Sequence, residues 1–156
     1  MKLKHILVLG LSVLLVVALL ASWLFRPADI SQLGMDTRPP IHMGQAQCDS
    51  AQGPCEARAG PLLARLNLLP PVTSLQPFEM HLQLEGVSAR QAVITFTMAD
   101  MEMGLNRFVL RPAQDGDWHG QAVLPVCSEG RKDWLATLTV VTDEGDYRLV
   151  FPFTAR

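Results

Sequence analysis

An all-β fold is predicted by three features of the sequence. From Leu62 onward apolar residues alternate in short runs, turn signals separate those runs, and helical periodicity is almost absent. Together they point to an immunoglobulin-like antiparallel β-sandwich of about seven strands. One N-terminal transmembrane helix precedes it, so the expected organisation is an anchor at 1–26, a linker at 27–60 and the sandwich at 61–156.

The anchor is read from Ile6 to Phe25, an uncharged apolar run behind a basic start with Lys2 and Lys4. At about 1.5 Å per residue such a helix spans the ~30 Å hydrocarbon layer. Trp23 and Arg26 form an interfacial stop. A cleaved signal peptide is the rival reading, but Val16-Val17-Ala18, its best exit, lies inside the apolar run. The positive flank is expected to keep the N-terminus in the cytoplasm and to export the remainder. After residue 26 there are ten Lys/Arg against fifteen Asp/Glu, a formal net charge of −5. That balance offers no footprint for nucleic acid.

The linker is marked by Pro39-Pro40, Gly53-Pro54 and Gly60-Pro61. Leu62–Leu68 follows, closed by Pro70-Pro71. Phe78, Met80, Leu82 and Leu84 alternate with Glu79, His81, Gln83 and Glu85, the pattern of a half-buried strand. Ala92–Thr97 is β-branched, and Arg107–Arg111 stops at Pro112. Asp115-Gly116 turns into Trp118–Leu124, and Trp134–Thr142 pairs with Tyr147–Thr154 across an acidic turn.

Chemistry concentrates in Met98-Ala99-Asp100-Met101-Glu102-Met103-Gly104. Met101 and Met103 are two apart, so an extended segment sends both side chains to one face. Thioether sulfur is a soft ligand suited to Cu(I), and it needs no deprotonation. The plainer role of methionine is to fill irregular gaps in a core. Asp100 and Glu102 are expected as solvated loop charges.

Cys127 follows Leu124-Pro125-Val126, while Cys48 and Cys55 flank Gly53-Pro54. In an exported chain the plainest pairing is Cys48 with Cys55, leaving Cys127 free, although three cysteines allow three single pairings. A free exported thiol invites a reason: metal ligation, thiol exchange or inert burial. His42-Met43 is a nitrogen/thioether pair that could complete a copper site. His81 and His119 are expected to face solvent. Asn106 is expected to bond its own loop, and Trp134 to pack the core. No hydrolase elbow, phosphate loop or C-x-x-C occurs, so the chain is not read as an enzyme.

The basic start, the span, the proline-rich tether and the segments MADMEMGLNRFVL and QAVLPVCSEGRKDWLATLTV resemble a group of bacterial envelope proteins of largely unassigned function. Their pattern is an aspartate with Met-Gly-x-Asn, then Leu-Pro-x-Cys, then tryptophan. It is met here by Asp100, Met101, Met103, Gly104, Asn106, Leu124, Pro125, Cys127 and Trp134. More distantly, residues 45–156 are similar to YtkA-like and FixH-like domains. That similarity implies an anchored sandwich serving copper handling or cytochrome oxidase assembly; the cysteines and the single span depart from it. The leading expectation is thus a Cu(I) protein with Met101, Met103 and Cys127 as ligands and Met98, His42 or Met43 as optional ones. The partner would be a cytochrome oxidase or another copper-handling protein. A metal-free envelope scaffold is the alternative, and thiol exchange through Cys127 a third reading.

Overall fold

The computed structural model describes residues 39–156 apart from 102, 105, 114 and 115. The expected anchor and the first part of the expected linker lie outside the described residues, and so does Glu102. Strands are β1 (His42–Gln45), β2 (Cys55–Ala59), β3 (Leu62–Leu68), β4 (Pro77–Glu85) and β5 (Gln91–Thr97). They continue with β6 (Arg107–Pro112), β7 (Trp118–Val123), β8 (Asp133–Val141) and β9 (Asp146–Thr154). Among the described residues there is no helix.

Each long strand is formed by alternation. In β3, Leu62, Ala64, Leu66 and Leu68 are buried while Leu63, Arg65 and Asn67 are half-buried. In β8 the inward set is Trp134, Ala136, Leu138 and Val140, and in β9 it is Tyr147, Leu149, Phe151 and Phe153. A period of two places alternate side chains on one face, and each fully buried Leu or Phe contributes about 1.5–3 kcal/mol. Phe96 lies at the centre of the aromatic packing, with ring centroids 5.7 Å from each of Phe78, Phe108 and Phe153.

The nine strands form one sheet in the order β1-β9-β8-β5-β6-β7-β4-β3-β2. β6 turns the corner: Arg107–Leu110 pair with β5, while Arg111 and Pro112 pair with His119 and Trp118 of β7. The two ends of the sheet then approach one another, and a Cβ on Gly44 of β1 would stand only 2.1 Å from the carbonyl oxygen of Arg58 in β2. The result is a nearly closed barrel around one apolar core.

Two features differ from the expected sandwich. The strands number nine among the described residues rather than about seven, and the sheet is mixed, because β1 runs parallel to β9 with His42 opposite Tyr147. Both extra strands fall in the stretch read as linker. β1 is four residues long with exposed or half-buried side chains, so it leaves no alternating apolar trace. β2 does alternate, but its inward residues are Cys55, Ala57 and Ala59, whose small side chains carry little hydrophobic signal.

The intervening loop is closed by a Cys48–Cys55 disulfide, as the plainest pairing anticipated. The loop folds back on the barrel. Asp49 Oδ2 accepts from the Thr154 amide at 3.0 Å, and Asp49 Oδ1 from the Ala51 amide at 2.9 Å. Ser50 donates its amide to the Pro152 carbonyl, and its own carbonyl accepts from Leu68 at 2.8 Å.

Candidate functional site

Antiparallel pairing brings the β5–β6 connection, residues 98–106, and the β7–β8 connection, residues 124–132, to one end of the barrel. The first opens with a tight turn in which the Met101 amide bonds the Met98 carbonyl at 3.4 Å. Asp100 occupies the third position with φ 61°, a left-handed conformation that aspartate tolerates better than most residues. The second connection makes a similar reversal: Gly130 donates its amide to the Cys127 carbonyl at 3.1 Å, with φ 68° at Gly130.

These turns bring two sulfurs together. Cys127 is a free thiol, half-buried, and its Sγ lies 3.7 Å from Sδ of Met101. Met103 is also half-buried and packs against the core from the same loop, while Met98 is buried. His42 and Met43 sit elsewhere. Their strand starts opposite Tyr147, five residues before Pro152, which lies level with the end of β5. At about 3.3 Å per residue, that is roughly 17 Å along the sheet. The His42 imidazole stacks on Tyr147 with centroids 5.5 Å apart, and Met43 is exposed. The parallel register of β1 therefore keeps this pair away from Met101 and Cys127.

Arg131 joins the two loops. Its Nη1 donates to the Ala99 carbonyl, inside the Met98–Met101 turn, at 3.0 Å. Its Nε donates to Asp133 Oδ1 at 3.0 Å, and Nη2 bonds the other carboxylate oxygen. The hydrogen bond from Arg131, aided by Asp133's own backbone amide, holds the Asp133 carboxyl below its ordinary range. The same bond to Asp133 raises Arg131 above its ordinary range.

Arg131 carries no motif of its own in the sequence; its separation of two from Asp133 is the one local sign of the pair. Asn106 also differs from expectation. Rather than bonding its own loop, its Nδ2 donates to the Phe96 carbonyl at 2.6 Å, and Phe96 returns its amide to the Asn106 carbonyl at 3.3 Å. The residue is buried and ties the return of the methionine loop to the end of β5. Trp134 packs in the core as expected, stacked on Phe153.

The arrangement suits a soft ion. With metal–sulfur bonds of about 2.3 Å, two sulfurs on one tetrahedral or trigonal centre stand roughly 3.7–4.0 Å apart. Met101 and Cys127 already have that separation. No group of three His, Cys, Asp or Glu among the described residues is arranged to hold a metal. No family model, curated protein or solved structure matches this chain.

Proposed function

We propose that the chain is a membrane-anchored, non-enzymatic Cu(I)-binding protein of the bacterial periplasm. It would deliver copper to a cytochrome oxidase or another copper-handling protein, or confer copper resistance. One observation carries this reading: the 3.7 Å separation of Cys127 Sγ and Met101 Sδ across two loops far apart in sequence. In it Cys127 supplies a thiolate and Met101 a thioether, with Met103 as the third sulfur and Met98 as a reserve from the same loop. Low-coordinate sulfur favours Cu(I) over Zn(II), which takes four ligands in its structural sites. The hydrophobic run at 6–25 is the anchor, and the barrel is a variant of the immunoglobulin-like sandwich of YtkA-like and FixH-like domains.

The reading is tested by titrating the full-length chain with Cu(I) against a competing chelator, with ascorbate as reductant. One equivalent binds tightly, and both Cys127→Ser and Met101→Leu/Met103→Leu weaken it by at least tenfold, on the order of one lost ligand. Equal affinity in the three proteins would dispose of the copper reading.

A second reading, a metal-free scaffold, is favoured by exposed apolar residues beside the same loop. Leu75 is 68 % exposed and Val126 60 %, and the Leu75 amide bonds the Leu124 carbonyl, two residues before Val126. Capture of an envelope partner by metal-free protein, lost on Leu75→Ser and Val126→Ser, would support it.

A further inference from the structure

A different group of ligands lies on the outer face of the β4–β7 pair. His81 and His119 are directly opposite in register, and Glu79 is opposite Gln121. Residues two apart on a strand share a face, so these four side chains form a patch two residues wide and two long. The imidazole rings meet edge to face with centroids 4.3 Å apart, and Glu79 Oε2 lies 3.7 Å from His81 Nε2. The patch lines a groove of about 600 Å³, which Val109, Arg111 and Gly120 also border. The groove exists because the β6–β7 ladder ends at Arg111 opposite His119.

We propose that His81, His119 and Glu79 form a binding site for a divalent first-row transition metal ion, distinct from the sulfur pair. Imidazole and carboxylate are donors such ions take, and the register sets two imidazoles side by side on paired strands. With metal–nitrogen and metal–oxygen bonds of about 2.0–2.2 Å, two donors on one ion stand roughly 2.9–3.6 Å apart. The Glu79–His81 separation is just beyond that range. Glu79 has a side chain 59 % exposed, so it is free to change rotamer toward an ion held by the histidines. The three donors are not gathered around one point, so the two histidines take the ion first and Glu79 closes on it. Arg111 is a cation in the same row as His119, so a bound ion meets its charge from the β6 side.

The site is tested on the full-length chain carrying Cys127→Ser, which removes the thiolate from competition and makes the outcome independent of the copper reading. Zn(II) is the probe, followed by calorimetry and by the histidine ring resonances. One equivalent of Zn(II) binds; the His81 and His119 resonances move together, while those of His42 stay fixed. His119→Asn and His81→Asn each weaken binding at least about tenfold, and Glu79→Gln weakens it less. Because the ring resonances are read without altering any histidine, a variant that failed to fold would not obscure the result. Stationary His81 and His119 resonances, or affinity unchanged by His119→Asn, would overturn the proposal.

Discussion

The sulfur of Cys127 lies 3.7 Å from that of Met101, and Arg131, on the same connection as Cys127, donates at 3.0 Å to a carbonyl in the turn that carries Met101. A two-sulfur centre assembled from separate loops is only as well positioned as the contacts between those loops. Arg131 is therefore the positioning residue of the pair, and its removal has two readouts.

Arg131→Gln loosens the site without touching a sulfur. Cu(I) affinity falls by about 10–100-fold, the range seen when groups supporting metal ligands are lost, while Met101→Leu leaves Arg131's own bonds intact. In the same variant the Asp133 carboxyl, now depressed chiefly by the Arg131 hydrogen bond, titrates closer to the ordinary aspartate value of about 3.9. Carbon-detected NMR of the side chain measures the shift. A depressed carboxyl favours the folded state above the unfolded-state value. That contribution is lost as pH falls through the folded-state value, so the wild type keeps the Arg131–Asp133 pair to more acid pH than an unperturbed carboxylate would allow.

Opening the Cys48–Cys55 disulfide releases a short loop that also donates and accepts across to β9 and β3. The closure of a loop this size is worth about 2–3 kcal/mol. A Cys48→Ser/Cys55→Ser double variant should lose that much in urea unfolding, and Asp49→Ala, which leaves the exposed Thr154 amide to water, about 0.5–1.5 kcal/mol.

At the seam of the barrel, Gly44 has no room for a methyl group against the Arg58 carbonyl. Gly44→Ala must push β1 from β2, at a cost of about 1–3 kcal/mol. Amide hydrogen exchange in β1 and β2 should accelerate while β4 and β7 stay protected.

Asn106→Ala removes the hydrogen bond to the Phe96 carbonyl and leaves space at a buried position. The loss is about 1–3 kcal/mol in chemical denaturation. It also frees the end of the methionine loop, so Cu(I) affinity falls with it. Asn106→Asp is no rescue, since a carboxylate cannot donate to a carbonyl.

The all-β character was legible because β3, β4, β8 and β9 each place an apolar residue at every second position over seven residues. β1 and β2 were not, since one is too short to show a period and the other buries only cysteine and alanine. The closed shape depends on the parallel pairing of His42–Gln45 with β9, a long-range choice that no local pattern encodes. Within the site, residue types announced Met101, Met103 and Cys127, but only the fold brings the first and last together. The same fold separates His42 and Met43 from them, because β1 enters at the far end of β9. Arg131 was hidden for another reason: a guanidinium acting on a backbone carbonyl leaves no mark in the identity of its partner.

The central claim is that MADMEMG and the Cys127 loop share one ion. X-ray absorption at the copper edge of the full-length chain loaded with one equivalent of Cu(I) tests it most directly. The account predicts a shell of two or three sulfurs at about 2.3 Å, losing one scatterer in Cys127→Ser and at least one in Met101→Leu/Met103→Leu. A shell of nitrogen or oxygen alone, unchanged in both variants, would contradict it.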